Sequence, residues 1–221
     1  IEDLRIGIQG EHASNLGGIL AFEIGKELGV PAYVVDPVVV DEMEPIAKIT
    51  GLPMIERRSV FHALNQKAVA RRFALQIGRD YNELNLIVAH LGGGITVGAH
   101  RKGRVVDVNN GLDGEGPFTP ERAGKLPTIK VLDLCFDSGY TTDEIKKMFV
   151  GGGGLVAHFG TNDARNIRAM MERSVERAKL VFEAMAYQVA REIGACAATL
   201  LGQVDAVILT GGLAYDDVFC E

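Results

Sequence analysis

Three glycine-bearing turns, one aspartate and one arginine carry the residue types through which this sequence could do chemistry. His90-Leu91-Gly92-Gly93-Gly94 ends an apolar run in three consecutive glycines. Such a turn lets backbone N–H groups converge on an anion such as phosphate, and it equally makes an ordinary tight strand turn. It is not a P-loop, since no GxxxxGK[ST] is present, and it is not a dinucleotide fingerprint, which should open a helix. Thr210-Gly211-Gly212 follows the last apolar run. In α/β proteins ligands gather beyond the carboxyl ends of strands, although a plain strand-to-helix turn has the same composition. Asp163-Ala164-Arg165 stands at a helix start, where an aspartate is either a cap or a ligand-facing carboxylate. Asp36 precedes Pro37 at the end of another apolar run. A carboxylate there can hold Mg²⁺ through water or orient a nucleophile, or it simply serves the turn.

Arg122 lies in a polar, Gly- and Pro-rich loop over residues 109–127 and has the fixed, always charged donor fork that clamps anions. Five histidines occur: His12, His62, His90, His100 and His158. None has metal-ligand spacing, and His90 draws notice because it stands in an apolar run directly before the glycines. No GxSxG elbow or Cys–His protease signature is present, so covalent Ser or Cys catalysis is not indicated. Cys135, Cys196 and Cys220 form no CxxC pair, which fits reduced thiols in a cytoplasm. The net charge of −6 argues against a nucleic-acid partner. The doublets Arg57-Arg58, Arg71-Arg72 and Lys146-Lys147 are expected on solvated faces. No apolar run approaches the roughly 18 residues of a membrane span, so no membrane partner is expected.

These residues must be positioned by alternating strands and helices, the pattern of an α/β protein. Residues 4–9 alternate like a short strand. Residues 15–28 carry a helical stripe, capped by Ser14 or Asn15 and closed by Gly29. Residues 32–35 are a short apolar strand ended by Asp36-Pro37. A short helix over 41–50 stops at Gly51, and a longer one over 63–77 carries Leu64, Ala68, Val69, Phe73 and Ile77 on its stripe. Residues 85–91, 95–100 and 104–108 make a three-stranded antiparallel meander. Thr141 and Glu144 form a capping box for a helix through Phe149, and Gly151 to Gly154 are expected to make a flexible joint. Asn162 or Asp163 caps a helix to about Arg173. The longest helix spans 175–201, with Ala178, Val181, Phe182, Met185, Val189 and Ile193 on its stripe. A buried strand follows at 206–209. The 27 glycines among 221 residues exceed the roughly 7% of an average chain and should mark turns and close backbone approaches.

Several segments occur together in an order that resembles the acetate kinase (acetokinase) family, and within it the butyrate kinase branch. They are Gly10 to Gly17, Asp36-Pro37-Val38, Ser59-Val60-Phe61-His62, Ala89 to Gly94, Gly114 to Arg122, Gly160 to Arg165 and Leu209 to Tyr215. The resemblance implies a fold like that of actin, the 70-kDa chaperones and hexokinase: two ribonuclease-H-like domains around a nucleotide cleft. Residues 1–40 would then be the closing part of the first domain, residues 41–84 connecting helices, and residues 85–221 the second domain, nearly whole. It also implies reversible phosphoryl transfer from ATP, with Mg²⁺, to a short-chain fatty carboxylate, giving ADP and an acyl phosphate. By family match, Asp36, His62, His90 and Arg122 would be catalytic. Arg122, His62 and His90 would serve the transferring phosphoryl group, and Asp36 the Mg²⁺ or the reacting partner. His90 to Gly94 would hold nucleotide phosphates, while Asp163, Ala164, Arg165, Gly211 and Gly212 would line the nucleoside end.

Family members form homo-oligomers. Gly93 stands where acetate kinases carry Asn, which favours the butyrate branch, and Gln66-Lys67 stands where they carry a second His. The chain carries neither the opening phosphate motif of the family, with its substrate-contacting arginine, nor its later helices. It is therefore expected to be one lobe with the tail of another, and the alternative reading is a nucleotide-binding fragment without turnover.

Overall fold

The apolar run at the centre of the chain becomes strand β1 (Asn85–Leu91), which pairs antiparallel with β2 (Ile95–Arg101) in the register Leu91↔Ile95, His90↔Thr96 and Leu86↔His100. Strand β3 (Arg104–Val108) returns beside β2 through Lys102 and Gly103, both at positive φ. Strand β4 (Ala206–Thr210) joins the other side of β1 in parallel, giving the order β3-β2-β1-β4. The computed structural model describes residues 1–7 and 14–221.

Side chains on a strand point alternately to opposite faces, and here the two faces differ in chemistry. Ile87, Ala89, Leu91, Ile95, Val97 and Ala99 share one buried cluster with Phe182, Met185 and Val189 of the long helix α9 (Glu176–Thr199). Ile167 of α8 (Ala164–Glu172) and Phe219 of α10 (Asp217–Cys220) complete that side, with Phe182 and Phe219 meeting edge to face at 5.3 Å. The opposite face holds Leu86 and Val88 against Ala70 and Ala74 of α4 (Ala63–Gln76). On this face lie the polar strand residues His90, Thr96 and His100.

Helix α4 lies on the sheet by a face rotated from the expected stripe: Val69 and Phe73 of the stripe pack at the edge of the sheet cluster, but they do not lead it. Leu64 and Ile77 are exposed, while Ala63, Gln66, Lys67, Ala70 and Ala74 are buried. The reason is chemical. Gln66 bonds the Thr96 carbonyl at 3.0 Å and His100 at 3.0 Å. Lys67 is paired with Glu42 at 2.5 Å. Buried polar groups must find partners, so the polar residues of α4 turn toward the polar residues of the sheet.

Other expectations change as well. Residues 2–5 form the short helix α1 (Glu2–Arg5) instead of the start of a strand, held by hydrogen bonds such as Ile6 N to Glu2 O; residues 8–9 of that expected strand lie outside the described residues. Helix α2 (Ser14–Leu28) has the expected extent and stops at Gly29, φ +68°, but Leu16, Leu20, Ile24 and Leu28 of its expected stripe are exposed. Residues 32–35 pair with no strand among the described residues, and Tyr33, Val34 and Val35 are exposed. The helix expected over 41–50 shrinks to α3 (Pro45–Lys48), because Ile49 leaves it to bridge Glu56. Strand β4 is an edge, so Val207 and Leu209 are exposed and the strand is not buried throughout. Three helices have no counterpart in the sequence reading: α5 (Thr128–Asp137), α7 (Gly154–Phe159) and α10. The capping box of α6 (Thr142–Phe149), the Asp163 cap of α8 and the stripe of α9 are all present.

His100 is fully buried, with Nδ1 at 2.8 Å from the Tyr81 hydroxyl. Burial, aided by Lys67 and Arg71, pushes its pKa down to about 3. The unfolded chain takes up this proton below about pH 6.5, so the stabilisation is fully present above that value and is lost as pH falls toward about 3. Each pH unit in that window should remove about 1.4 kcal/mol through this group. Urea unfolding between pH 7 and 4.5 should therefore show a steeper loss of stability in the wild type than in His100→Asn. Parallel slopes would show that the folded protein protonates His100 freely.

Candidate phosphate-binding site at the carboxyl ends of β1 and β4

Because β1 and β4 are parallel neighbours, with His90 opposite Thr210, both glycine turns leave the same end of the sheet. Gly211 follows Thr210 at φ +92°, and a Cβ there would meet Leu91 O at 2.5 Å, so only glycine fits. On the β1 side, Gly92 N donates to Gly94 O at 3.1 Å and closes a three-residue turn. A Cβ on Gly92 would meet His90 Nε2 at 3.0 Å, and one on Gly94 would collide with the Arg122 guanidinium. The turn is thus bare backbone with an imidazole and a guanidinium against it.

His62 immediately precedes α4, which carries it over the polar face of the sheet. Its ring stacks on that of His90, centroids 3.7 Å apart and planes 9° apart. His62 Nδ1 lies 2.8 Å from Thr96 Oγ1, and His90 Nδ1 lies 2.9 Å from Asn65 Oδ1. Burial holds the His90 pKa below its ordinary value, so this imidazole is neutral at pH 7. Arg122 is more than half withdrawn from water, and burial lowers its pKa while Glu121 opposes the change. A guanidinium nevertheless stays charged throughout. Its Nη1 donates to Gly111 O, and its buried Nε has no hydrogen-bond partner among the described residues. His62, Thr96, Gly111 and Arg122 line one cavity of about 60 Å³ together with Val38 and Phe61.

The loop carrying Arg122 is fixed from two sides. Thr119 Oγ1 donates to Gly93 O at 2.6 Å and accepts from Arg122 N at 3.0 Å, tying the loop to the turn. Behind it, Gly151 N donates to Glu121 O at 2.8 Å and Arg122 forms an isolated bridge with Val150. Any Cβ on Gly153 or Gly154 would run into the backbone of residues 119–123. Gly153 and Gly154 therefore form a packed support for Arg122, so the expected flexible joint is packed in its second half, while Gly151 is exposed. A second cavity, of about 220 Å³, opens behind Arg122 among Ile95, Leu126, Val131 and Phe149.

Residues 51–220 match the Acetokinase family. The chain belongs to this family. Its fold is similar to that of acetate kinase from Porphyromonas gingivalis, at 27% identity and a TM-score of 0.80, over 90% of this chain and 52% of that one. A propionate kinase from Francisella tularensis is 23% identical with a TM-score of 0.78, over 92% of this chain and 55% of that one. Acetate kinase from Entamoeba histolytica is 19% identical with a TM-score of 0.75, over 89% and 53%. The chain thus spans about half the length of these structures. It has the α/β, ribonuclease-H-like fold of the actin-type ATPases to which acetokinases belong.

The remaining residues singled out in this acetokinase chain lie apart from the histidine pair. Asp36 sits at φ +42° with its carboxylate 2.9 Å from Arg71 of α4. It does not line the cavity that holds His62 and Arg122, although Val38, two residues on, does. Asp163 caps α8, accepting from Arg165 N at 3.0 Å, and Arg165 folds back on it at 2.7 Å. Ala164 packs against the core. The neighbouring Asn162 reaches Glu121 Oε2 at 3.3 Å, and a Cβ on Gly93 would meet Glu121 at 3.4 Å, so this helix start adjoins the turn. Gly212 opens a short 3-10 turn through Tyr215 with space around it. His12 and most of the Gly10 to Gly17 segment lie outside the described residues. Sequence reasoning passed over Asn65, Gln66, Thr96 and Thr119. The first two stand three and four residues after His62, the spacing that shares a helix face, and that signal was available.

The support role of the glycine run separates two substitutions. Gly151 has φ +95° and open space around it, whereas Gly154 has φ +60° and backbone in the way. Gly151→Ala should cost about 1 kcal/mol from backbone strain alone. Gly154→Ala should cost roughly 3 kcal/mol or more, because backbone must also move. Denaturant midpoints check this, and equal values would mean that the run is a loose joint after all.

Proposed function

We propose that this chain supplies the phosphate-facing lobe of a carboxylate kinase. The reaction would be reversible transfer of the γ-phosphoryl group of ATP, with Mg²⁺, to a short-chain fatty carboxylate such as butyrate, yielding ADP and an acyl phosphate. One observation carries this reading: two stacked imidazoles and a half-buried guanidinium stand against a turn of three glycines. A carboxylate is ionised at pH 7 and needs no general base. Catalysis then reduces to aligning two anions and stabilising the charge on the transferring group, which hydrogen-bond donors and one fixed cation accomplish. Arg122 would face the equatorial phosphoryl oxygens, with His62 and His90 beside them. The turn from His90 and Leu91 to Gly94 would cradle the nucleotide phosphates, and Asp163 to Arg165 with Gly211 and Gly212 would border the nucleoside.

Mg²⁺ bound to nucleotide phosphates asks the protein for only one or two carboxylates. Asp36, mostly buried and held by Arg71, would meet that demand through water. The metal would neutralise phosphate charge when bound. Gly93, in place of the asparagine of acetate kinases, supports butyrate over acetate as the acid. In this reading residues 1–40 belong to a first ribonuclease-H-like domain, residues 41–84 connect, and residues 85–221 form most of the second. The protein works in the cytoplasm as a homo-oligomer.

The alternative reading is nucleotide binding without turnover. Trapping of butyryl phosphate as the hydroxamate in the presence of Mg-ATP separates the two. If the kinase reading holds, Arg122→Ala should lower kcat by about 10²–10³-fold with a much smaller change in KM. ATP binding by calorimetry without any trapped acyl phosphate supports the second reading. Absence of both binding and turnover defeats each.

A further inference from the structure

The polar residues between α4 and the sheet form one continuous line from Tyr81 to His62, and the direction of every hydrogen bond in it can be worked out. Gln66 anchors the assignment. One end of its amide lies 3.0 Å from the Thr96 carbonyl, which only accepts, so that end is Nε2. Its other end, Oε1, lies 3.0 Å from His100 Nε2 and must accept there. His100 therefore carries its proton on Nε2, and its bare Nδ1 accepts from the Tyr81 hydroxyl at 2.8 Å. In the other direction Gln66 Nε2 also donates to Thr96 Oγ1 at 2.9 Å, and the backbone N of His62 donates to the same oxygen at 3.5 Å. With both lone pairs engaged, the threonine hydroxyl gives its own proton to His62 Nδ1 at 2.8 Å. Thr96, Gln66 and His100 are all shut off from water, so no solvent molecule offers a competing partner.

We propose that this buried line, Tyr81–His100–Gln66–Thr96, fixes His62 as the neutral imidazole with its proton on Nε2, making Gln66 and Thr96 positioning residues for that donor. Two neighbours reinforce the neutral form. The parallel stack on His90 at 3.7 Å would set like charges face to face were both rings protonated, and the Arg122 guanidinium lines the same cavity. Gly98 keeps the line intact, because a Cβ there would sit 2.5 Å from Gln66 Oε1. The catalytic meaning of the donor rests on the kinase reading above, whereas the tautomer rests on the hydrogen-bond geometry alone. An Nε2–H that is ready at neutral pH can meet a phosphoryl oxygen without first acquiring a proton.

Long-range ¹H–¹⁵N correlation spectra of the labelled chain at pH 7.5 test this, with His62 identified by the signals lost in His62→Gln. The expected wild-type pattern is a protonated, pyrrole-type Nε2 and a bare, pyridine-type Nδ1. Thr96→Val preserves shape but removes the hydroxyl, so the two nitrogen shifts should move toward each other as the tautomers mix, and Thr96→Ser should restore the original pattern. A wild-type spectrum showing Nδ1–H overturns the proposal by itself, so a variant that fails to fold leaves the test standing. An unchanged His62 pattern in folded Thr96→Val overturns it equally. Turnover does not enter these spectra, so failure of the kinase reading and failure of the tautomer assignment are told apart.

Discussion

The arrangement depends on close approach to a turn that has no side chains. Gly94 lets the Arg122 guanidinium reach the β1–β2 connection, Gly92 makes room for the edge of His90, and Gly211 lets the end of β4 lie on the backbone of Leu91. Each contact excludes a Cβ, and together they converge on the carboxyl ends of two parallel strands. A positive guanidinium half withdrawn from water is stabilised only where hydrogen bonds or an anion meet it. Here the protein supplies Gly111 O on one side and leaves Nε without a partner among the described residues. The loop bearing Arg122 is in turn fixed by Thr119 and by the packed glycines at 153 and 154. The cation is thus held in advance, which is the condition for electrostatic stabilisation of a transferring group.

The sheet divides its two faces between stability and chemistry. Odd-numbered residues of β1 and β2 build the apolar contact with α9, while His90, Thr96 and His100 turn to α4. Such a division leaves polar groups in a dry interface, where each must be satisfied or the interface weakens. Gln66 satisfies two strand residues at once, and Lys67 and Glu42 neutralise each other at its border. The same contacts that secure α4 therefore orient the ring of His62. Stability and alignment are not separate features of this interface.

Much of this was legible in the sequence. The meander follows from alternating apolar residues broken at Gly92 to Gly94 and at Lys102-Gly103. Once the turn is set at three residues, pairing places His90 opposite Thr96. The caps of α6 and α8 follow from Thr141, Glu144 and Asp163. The buried face of α4 was not legible from hydrophobicity, because a glutamine and a lysine occupy it and Leu64 points outward. Residues 32–35 have strand composition, but composition cannot supply a partner for their backbone groups. Gly151 to Gly154 resemble a linker in sequence, because the contact that requires Gly153 and Gly154 comes from residues 119–123, some 30 positions away. Long-range contacts of this kind leave no local pattern.

The balance of donors and acceptors also bears on the class of phosphoryl acceptor. A kinase acting on a hydroxyl needs a group placed to receive a proton as the bond forms. Among the described residues, Asp36 is engaged by Arg71 and lies outside the cavity of His62 and Arg122. Around that cavity the charged and polar side chains are arranged as donors: a guanidinium, and a His62 ring whose Nδ1 is occupied by Thr96. A nucleophile that arrives already ionised is the one such a site serves best, since it has no proton to give up and two negative partners to be held together. Within the proposed reading, an acceptor that is already ionised is the one that Arg122 and His62 suit.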